Sequence, residues 1–570
     1  MKNLEIAQIF EEIADILEIK NVEWKPQAYR KAARALKTCE DVEAIYKKGG
    51  IKALDKIPGV GQRLAKKIVQ YIETGKISEY ERLKKTVPKY LTELMKVPGL
   101  GPKKAAKLAN KLKIKSMKNL EQVIKQHKIA KLKTFGEKSE ENIAKGIALM
   151  KKSKKRVLLG VALPIAEEII ARLRVVKGVD KVIAAGSLRR MLETIGDIDI
   201  LITSTKPELV MDKFTSMKDV ARVLAKGPTR GSILLKNNLQ VDVRVIPPDE
   251  FGSALQYFTG SKNHSIALRK LAIKKGLKIS EYGVFKGKKK IAGKTEKAVY
   301  KAVNLPYIEP ELRENNGEIE VARQGKLPKL LGYSDIKGDL HVHSKYSDGN
   351  DAIETITKVA KKIGYGYIAI TDHSPSLKIA HGLDEKQLKK KQAEIKKINK
   401  KNMGIKVLHG TEVDILPDGS LDYSDKILKQ FDIVIAAVHS HFKMTEAEMT
   451  KRIIKALENK YVNVLAHPTG RVINKRDAYK VNLEKIFSSA KKNKVALEVD
   501  GTPDRLDLND VHIREAIKAG VKLVCVTDAH SINNLKNMRL AIGTARRGWA
   551  QKTNILNTKS WEEIKKWFKK

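Results

Sequence analysis

Histidine and carboxylate residues recur at the ends of short apolar runs in the last part of the chain. Ten of the twelve histidines lie beyond residue 335. Seven apolar runs end in residues that can ligate a metal, at 339–343, 367–373, 407–412, 433–439, 462–467, 495–498 and 523–530. Imidazole and carboxylate groups without a thiolate cluster suit Zn²⁺, Mn²⁺ or Fe²⁺. The pattern therefore predicts a metal centre.

Helical stretches rich in Lys and Glu separate most of these runs. Alternating strands and helices form parallel sheets or barrels, and in a barrel the carboxyl ends of the strands meet at one face. We therefore expect the ligand-type residues to converge at that face. A single histidine is more often a surface residue or a hydrogen-bonded core residue, and His381, His409 and His512 are interpreted in that way.

A second set of chemically active residues lies in the middle of the chain, where Asp197 and Asp199 begin a predicted strand and Asp242 lies in another. Strand side chains alternate, so Asp197 and Asp199 share one face. Three converging carboxylates repel one another unless cations lie between them, and Mg²⁺ or Mn²⁺ suits such ligands. Two such ions stabilise the attacking and leaving oxygens of an in-line phosphoryl transfer. An Asp-x-Asp pair alone would also suit an ordinary strand with a polar face.

A short Gly-Ser turn precedes this predicted strand. The backbone at Gly186 and the side chain of Ser187 can hold a triphosphate, and Arg190 can neutralise its charge. Together with the third carboxylate, this turn makes an ordinary polar strand the weaker interpretation.

Two glycine turns open helices in the first 150 residues, one at Gly59 and Gly61 and the other at Gly99 and Gly101. Glycines allow close approach of a ligand, and the free N–H groups at a helix start suit a phosphate. Lys and Arg follow each turn. The repeat resembles the helix-hairpin-helix motif, which implies binding of a DNA backbone without reading its sequence, and it makes an ordinary helix corner the weaker interpretation.

The overall composition agrees with a nucleic-acid partner. The 570 residues include 113 Lys and Arg against 66 Asp and Glu, a formal net charge of +47. Such a charge attracts polyanions, although a Lys-rich genome would also raise it. The two cysteines, Cys39 and Cys525, cannot form a disulfide framework, which favours a reducing cytoplasm. No apolar run reaches the length that a membrane helix needs, and no secretory signal is recognised.

The middle of the chain resembles DNA polymerase beta. Residues 186–190 and 196–199 are similar to the nucleotidyltransferase signature of that family, and residues 257–261 are similar to its nucleotide-pocket motif. Residues 25–33 extend the likeness to the amino terminus, so the resemblance covers residues 1–318. It implies an 8-kDa-like helical domain followed by fingers, palm and thumb.

The resemblance also implies roles for individual residues. Asp197, Asp199 and Asp242 would be catalytic and would hold Mg²⁺ or Mn²⁺. The implied nucleotide-binding residues are Gly186, Ser187, Arg190, Gly196, Tyr257, Phe258 and Gly260. The implied DNA-binding residues are Gly59, Gly61, Lys67, Gly99, Gly101 and Arg269. Lys67 also occupies the place of a Schiff-base lysine that removes a 5′-deoxyribose phosphate, and that activity is left open.

The histidine-rich segment resembles the polymerase-and-histidinol-phosphatase (PHP) domain, which folds as a distorted seven-stranded barrel with three metals. The resemblance implies the ligand set His341, His343, Asp348, His373, Glu412, His439, His467, Asp528 and His530. The expected ions are Zn²⁺, Mn²⁺ or both. Such domains with full ligand sets hydrolyse phosphoesters with a metal-activated water.

The order of these parts resembles the bacterial and archaeal PolX group of family X DNA polymerases over essentially the whole chain. The resemblance implies a DNA-directed DNA polymerase that fills short gaps in base-excision repair, with a 3′→5′ exonuclease in the PHP barrel. The group is also linked to cleavage at abasic sites. The expected partners are gapped or nicked duplex DNA and dNTPs, and the expected state is a cytoplasmic monomer.

The predicted fold class is therefore multidomain, α+β and α/β, with helix-hairpin-helix domains, a palm with a mixed sheet and a C-terminal (α/β)7 barrel. The predicted boundaries are 1–84 for the 8-kDa-like domain, 85–150 for the fingers, 151–248 for the palm, 249–318 for the thumb, 319–335 for a flexible linker and 336–570 for the barrel.

Two other functions are kept as alternatives. In the first, the polymerase is retained but the barrel is a small-molecule phosphatase or pyrophosphate hydrolase. In the second, the chain is a non-enzymatic scaffold for DNA ends with silent sites. The intact carboxylates and the complete ligand set disfavour the scaffold, because a silent site is free to lose them.

Overall fold

Helices form the first part of the computed structural model, which describes residues 2–39, 42–57, 59–95, 97, 100–132, 135–153 and 156–569. They are α1 (Lys2–Ile19), α2 (Lys25–Thr38), α3 (Val42–Asp55), α4 (Gln62–Thr74), α5 (Ser78–Lys84), α6 (Lys89–Leu94), α7 (Pro102–Leu112), α8 (Met117–Lys125) and α9 (Gly136–Ser153). Apolar residues at helical spacing, such as Ile6, Phe10 and Ile13, are completely buried in one core. This spacing explains why a chain so rich in Lys folds into amphipathic helices here.

The region predicted to be the palm, which is called the palm below, is built on a mixed sheet. Its elements are β1 (Val157–Leu158), α10 (Leu159–Arg174), β2 (Val179–Ala184), α11 (Gly186–Arg189), β3 (Thr194–Ile195), β4 (Asp197–Ser204), α12 (Pro207–Thr215), β5 (Val220–Lys226), β6 (Arg230–Leu235) and β7 (Gln240–Val245). The main sheet has the order β2-β4-β7-β6-β5, with β4 and β7 parallel and the other neighbours antiparallel. In β4, Ile198, Ile200 and Ile202 enter the core, so the two aspartates face the other way.

A thumb-like region of helices and one small sheet comes next. Its elements are α13 (Phe251–Thr259), α14 (Lys262–Ile273), β8 (Leu277–Ser280), β9 (Gly283–Lys286), β10 (Lys289–Ala292), α15 (Glu296–Ala302) and α16 (Glu318–Arg323), with a 3-10 turn at Pro310–Leu312. The three strands form an antiparallel sheet of order β10-β9-β8.

The carboxyl-terminal region is a nearly closed barrel of parallel strands in chain order, β11 to β17. The strands are β11 (Gly338–Val342), β12 (Tyr367–Ile370), β13 (Lys406–Asp414), β14 (Ile433–Ala437), β15 (Val464–Leu465), β16 (Ala496–Asp500) and β17 (Leu523–Val526). The helices are α17 (Ile353–Ile363), α18 (Glu385–Lys400), α19 (Asp425–Leu428), α20 (Glu446–Leu457), α21 (Leu483–Lys492), α22 (Asp510–Ala519), α23 (Met538–Arg547) and α24 (Trp561–Phe568). Short 3-10 helices lie at Lys378–Ala380, Ile532–Asn537, Lys552–Asn554 and Leu556–Thr558.

The predicted fold class is confirmed, with helical domains, mixed sheets and a seven-stranded parallel barrel. Strands β12, β14 and β17 are apolar and buried along their whole length, as parallel strands covered by helices require. None of the helices in the described part of the chain is both long and apolar enough to span a bilayer.

The segment predicted to be a flexible linker, 319–335, is structured and packed. Helix α16 occupies its first part, and the backbone N–H of Leu331 donates to the carbonyl of Ala550 at 2.9 Å. Ile319 and Ala322 of α16 are buried in the core of the thumb-like region, and Leu331 is buried in the core of the barrel. The boundaries of the domains stay predictions.

The barrel also packs directly on the palm. Leu506 and Leu540 of the barrel are buried in the same apolar cluster as the palm residues of β4 and β7. Arg471 Nη2 lies 2.8 Å from Glu193 Oε2, and Arg539 forms an ion pair with Glu167 of α10. The structure therefore holds the two parts together through both apolar and charged contacts.

One buried amide closes the seam between the first and last strands of the barrel. Residues Val342 and Ala529 form a single parallel bridge near the carboxyl ends of β11 and β17. At the other end, the Asn557 side chain donates to the carbonyls of Cys525 and Gly338, at 2.6 and 2.8 Å, and accepts from the Cys525 N–H at 3.0 Å. Asn557 is completely buried, so these groups have no water to replace it.

We predict that Asn557→Ala lowers the free energy of unfolding of the barrel by about 3 kcal/mol, because three buried backbone groups lose their partner. Urea titration followed by circular dichroism measures the change. Asn554→Ala is the control, since the Asn554 side chain accepts a hydrogen bond only at a solvent-exposed turn. Equal losses in the two variants would contradict the role assigned to Asn557.

Candidate active sites in the barrel and the palm

The barrel brings all nine predicted ligands to the carboxyl ends of its strands. His341 lies in β11 and Glu412 in β13, and the others lie in the loops that follow β11, β12, β14, β15 and β17. Eight of the nine form three groups in which all ligand atoms lie within 4.8 Å of one another, namely His343, Asp348, His373 and His530; His341, His343 and Asp528; and His373, Glu412 and His439. The ninth, His467, belongs to none of these groups, but its Nε2 lies 3.0 Å from Glu412 Oε1. The expectation that strand ends converge is therefore met by the geometry, while the role of each residue stays a prediction.

Glu412 lies at the centre of the cluster. Its carboxylate is 2.8 Å from His373 Nδ1, 3.0 Å from His467 Nε2 and 3.3 Å from His439 Nε2. The Nε2 atoms of His341 and His343 are 3.5 and 3.6 Å away. Glu412 is 1% exposed, so a single buried carboxylate faces five imidazole rings.

The nitrogen and oxygen atoms of the cluster are arranged to coordinate divalent metal ions rather than to form hydrogen bonds with one another. His373 Nδ1 and Glu412 Oε2 lie 2.8 Å apart, yet neither makes a hydrogen bond, and both are buried. His343 Nδ1 is also buried without a hydrogen-bond partner. Unpaired buried polar atoms are costly, and a cation held between them satisfies several at once.

The protonation of two ligands also suits metal binding. Burial and the neighbouring His530 and His373 lower the pKa of His343 to about 4. Burial and the Arg505 guanidinium lower the pKa of His467 to about 3. Both rings are therefore neutral near pH 7, the form in which imidazole offers a lone pair to a metal.

Carboxylates behind the cluster orient its imidazole rings. His341 Nδ1 lies 2.7 Å from Glu498 Oε1, and His439 Nδ1 lies 3.0 Å from Asp414 Oδ1. Such pairs fix the tautomer and leave the other ring nitrogen for the metal. The role of Asp414 was missed in the sequence, although its position two residues after Glu412 on one strand places both on the same face.

A buried ion pair fixes the loop that carries Asp348. Lys391 Nζ lies 2.9 Å from Asp372 Oδ2, and both side chains are completely buried. Asp372 in turn accepts hydrogen bonds from Ser344 and from the Ser347 hydroxyl, at 2.8 and 2.7 Å. The pattern of the sequence did not single out Lys391, because it lies in a Lys-rich helix whose other lysines are solvated.

The palm presents the second cluster. Asp199 of β4 lies directly opposite Asp242 of β7 in the parallel register, and Asp197 shares the face of Asp199. Burial and the charges of Asp197 and Asp242 raise the pKa of Asp199 to about 7. A cation between these carboxylates would relieve this repulsion. The geometry therefore fits a divalent metal of the kind expected.

The turn at Gly186 packs against this cluster so closely that only glycine fits. A Cβ at Gly186 would lie 2.3 Å from Asp199 Oδ2, and the φ of +61° lies in the left-handed region. The backbone that is expected to hold a triphosphate is thus fixed next to the carboxylates.

Most of the predicted nucleotide-binding residues line one cleft of about 410 Å³. The cleft is lined by Gly186, Ser187, Arg190, Tyr257, Phe258 and Gly260, together with Asp197, Asp199 and Arg269. Gly196 does not line it but lies between β3 and β4, directly before Asp197. Arg244, which the sequence analysis missed, stacks on the Phe258 ring with its guanidinium carbon 4.6 Å from the ring centre.

The two arginines of the turn are held by the thumb-like region. Arg189 forms a bidentate ion pair with Glu296, in which Nη1 donates to Oε1 at 2.9 Å and Nη2 to Oε2 at 2.6 Å. Arg190 Nε donates to Glu314 Oε1 at 2.9 Å. Arg190 also donates to the carbonyl of Thr259. Arg189 was assigned no role in the sequence analysis, because its anchoring depends on Glu296, which lies far along the chain.

The predicted DNA-binding turns begin helices as expected. Gly61 and Gly101 precede α4 and α7 and serve as their N-caps, and neither helix start has a side-chain cap. Gly59 has a φ of +81°. Gly99 lies outside the described residues. The start of α4 therefore presents the N–H groups of Gln62 and Arg63 to a phosphate, whereas the start of α7 has no N–H at Pro102 and would rely on Lys103 and Lys104.

Lys67 is held in an ion pair. Its Nζ lies 2.5 Å from Glu79 Oε2, which also accepts a hydrogen bond from the Tyr29 hydroxyl at 3.0 Å. Burial raises the pKa of Glu79, but the bonds to Lys67 and Tyr29 outweigh it and lower that pKa overall. The Lys67 amine would therefore have to leave this ion pair before it could form a Schiff base.

We predict that a chelator lowers the midpoint of thermal unfolding and that added Mn²⁺ restores it, because ions stabilise the folded cluster by mass action. Differential scanning calorimetry measures both steps. In Glu412→Gln, the central carboxylate is removed, and the difference between the chelated and the Mn²⁺-loaded protein should shrink. A wild-type midpoint that is insensitive to chelator would contradict the metal centre.

We also predict that the palm binds Mn²⁺ about tenfold more weakly at pH 6 than at pH 8, because protonated Asp199 must lose its proton first. Its raised pKa of about 7 places the loss of affinity below that pH. Electron paramagnetic resonance of free Mn²⁺ measures the affinity, in a Glu412→Gln chain to reduce binding in the barrel. In Asp199→Asn the remaining affinity should change little across this range, and an equal pH dependence in both chains would contradict the assignment.

Comparisons with known proteins agree with this architecture. Family models match as a helix-hairpin-helix domain over residues 1–77, a SAM-like helix-hairpin-helix tandem over 91–148, a DNA polymerase beta thumb over 254–314 and a PHP domain over 339–501. The matches follow the order of the helical, thumb-like and barrel regions in the structure.

Three curated relatives match different shares of the chain. The chain is 38% identical to the DNA polymerase/3′-5′ exonuclease PolX of Bacillus subtilis (strain 168), over 100% of both chains. It is 26% identical to DNA polymerase lambda of Rattus norvegicus over 55% of this chain and 56% of that protein. It is 29% identical to a probable phosphatase of Thermoanaerobacter sp. (strain X514) over 39% of this chain and 89% of that protein. With its helix-hairpin-helix domains, beta-type thumb and PHP barrel, and with full-length similarity to PolX, the chain belongs to the PolX group of the family X DNA polymerases.

Proposed function

We propose that this chain is a DNA-directed DNA polymerase with a 3′→5′ exonuclease in its PHP barrel, and that it fills short gaps during base-excision repair in the cytoplasm. The observation that carries the proposal is the presence of two separate ligand clusters on one chain, one of carboxylates in the palm and one of imidazoles and carboxylates in the barrel. Full-length similarity to a protein named as both polymerase and exonuclease supports the pairing of these activities.

In the palm, Asp197, Asp199 and Asp242 would hold Mg²⁺ or Mn²⁺, which supplies positive charge to the reacting phosphate and acidifies the primer 3′-OH. The Gly186–Ser187 turn and Arg190 bind the triphosphate of the dNTP. Tyr257 and Phe258 lie along its sugar, and the stacked Arg244 orients Phe258. The 3′-OH attacks the α-phosphate, and pyrophosphate leaves.

In the barrel, the nine ligands would hold three divalent ions, Zn²⁺, Mn²⁺ or both, which supply Lewis acidity and an activated water. Glu498 and Asp414 hold the rings of His341 and His439 in place. The Arg505 guanidinium lies 3.8 Å from Asp500 and 3.9 Å from Asp528 at the side of the cluster, where it can pair with a substrate phosphate. Water attacks the terminal phosphodiester and releases a nucleotide, and cleavage at abasic sites would use the same chemistry.

The DNA partner would be a gapped or nicked duplex bound by a monomer. The glycine turns at Gly61 and Gly101 bind backbone phosphates from the helical region, and Arg269 in the palm cleft contacts the template strand. Binding of this kind is independent of sequence, which suits repair gaps. The ion pair of Lys67 with Glu79 disfavours a strong Schiff-base lyase activity.

A second candidate function keeps the polymerase but gives the barrel a small-molecule phosphoester as substrate. The similarity of the barrel to a probable phosphatase supports it. Release of phosphate or pyrophosphate without shortening of labelled DNA would favour this candidate over the exonuclease.

We predict that Asp197→Ala reduces DNA synthesis by at least about 10³-fold and leaves degradation of a 3′ end unchanged, because it removes a metal ligand of the palm only. His341→Ala should have the opposite effect. Primer extension and primer shortening on a one-nucleotide gap in Mn²⁺ measure the two rates.

Asp180→Ala is a matched control, since Asp180 is a carboxylate on β2 that lies away from both clusters. It should keep both rates. If Asp197→Ala or His341→Ala lost both activities while still folded, the two sites would not be separate and the proposal would be wrong.

A further inference from the structure

Arg547, on helix α23 of the barrel, reaches across to the nucleotide-binding turn of the palm. Its Nη1 donates to the backbone carbonyl of Arg190 and to Glu314 Oε1, both at 3.0 Å. Its Nη2 donates to Asp510 Oδ2 at 2.6 Å, which anchors the guanidinium within the barrel. The Arg547 side chain is 8% exposed, so these hydrogen bonds are shielded from solvent, unlike those of an exposed surface ion pair.

Glu314 links this arginine to Arg190. The same oxygen, Oε1, accepts from Arg190 Nε at 2.9 Å and from Arg547 at 3.0 Å. Arg190 is thus held at its backbone by Arg547 and at its side chain by a carboxylate that Arg547 shares. The contacts are charge-assisted and partly buried, the conditions under which such bonds are strongest.

The sharing of Glu314 has an electrostatic consequence. With a single partner, the carboxylate would neutralise Arg190 and weaken its attraction for a triphosphate. With Arg547 as second partner, the negative charge is divided between two guanidinium groups. The electrostatic potential at Arg190 is then more positive than it would be with Glu314 alone, which favours a bound triphosphate.

Apolar packing also joins α23 to the nucleotide-binding turn of the palm. Met191 follows Arg190, is 5% exposed, and lies against Gly543 of α23. A Cβ at Gly543 would lie 2.5 Å from Met191 Cε, so glycine at this position allows the helix and the turn to meet. The palm turn is therefore in contact with α23 at both Arg190 and Met191.

We propose that Arg547 is a positioning residue for dNTP binding, through which the barrel completes the triphosphate side of the polymerase site. The inference rests on the proposed polymerase function. It means that the barrel contributes to synthesis by a route independent of its own metal cluster, and that His341→Ala leaves this contribution intact.

The test compares Arg547→Ala with Arg539→Ala in the full-length protein. Arg539 also lies on α23 and pairs with the palm through Glu167, but it does not contact the nucleotide-binding turn. In Arg547→Ala the KM for dNTP should rise by about tenfold with kcat within about threefold, as expected when a charge-assisted contact that supports ground-state binding is lost. In Arg539→Ala both constants should stay at the wild-type values, and the exonuclease rate should stay unchanged in both variants.

Equilibrium binding of a dNTP analogue that cannot be incorporated, measured by calorimetry, makes the test independent of turnover. The dissociation constant should rise about tenfold in Arg547→Ala and by less in Arg547→Lys, which keeps the positive charge but loses the planar arrangement of donors. Equal KM and equal dissociation constants in Arg547→Ala and Arg539→Ala would overturn the inference. So would a parallel loss of exonuclease activity, which would indicate general disruption of the interface.

The two proposals fail in different ways. If the wild type bound the analogue but did not extend a primer, the polymerase proposal would fail, while the calorimetric comparison would still decide the role of Arg547. If the wild type extended primers and Arg547→Ala bound the analogue normally, the role of Arg547 alone would be wrong.

Discussion

The burial of Glu412 among five imidazole rings is the constraint on which the barrel depends. A carboxylate that is 1% exposed must be compensated by neighbouring charge, and imidazoles satisfy it fully only when they share cations with it. The strand ends, the carboxylates behind the rings and the Lys391–Asp372 pair all hold this arrangement in place. In the palm the cluster consists of carboxylates alone, and burial together with the charges of Asp197 and Asp242 raises the pKa of Asp199. A cation between these carboxylates would relieve the repulsion.

The two clusters belong to one connected structure. Apolar packing around Leu506 and Leu540, the ion pairs of Arg471 and Arg539, and the structured segment 319–335 hold the barrel against the palm. A substrate that moves between the sites would therefore move relative to a joined palm and barrel. Through the Arg547 contact, the barrel also supports the nucleotide-binding turn of the palm. A change in the barrel can therefore alter dNTP binding in the palm, although the two proposed reactions occur at separate sites.

Local sequence patterns predicted an alternation of strands and helices with the candidate ligands at the strand ends, and the family resemblance supplied the rest of the fold class. Apolar runs that end in His, Asp or Glu identify both the strand and the position of the ligand, because parallel strands in a barrel all end at one face. The alternation in β4 similarly predicted that Asp197 and Asp199 share a face. These inferences succeed because strand period and strand direction are local properties.

Other features depend on pairs of residues far apart in the chain, which leave no local period. The closure of the barrel by Asn557, the support of His439 by Asp414, and the contact of Arg547 with Arg190 and Glu314 are of this kind. The segment 319–335 was expected to be flexible because Pro and Gly interrupt its pattern. In the structure α16 packs in the core of the thumb-like region, and Leu331 is buried in the core of the barrel.

The central claim is that one chain carries both a synthetic and a degradative site for DNA. The most direct measurement incubates the wild-type protein with a 5′-labelled primer at a one-nucleotide gap in Mn²⁺, with and without dNTPs, and resolves the products by gel. The account predicts extension of the primer with dNTPs and progressive shortening without them. Neither change, in a folded and metal-loaded sample, would contradict it, and extension without any shortening would contradict the exonuclease assigned to the barrel.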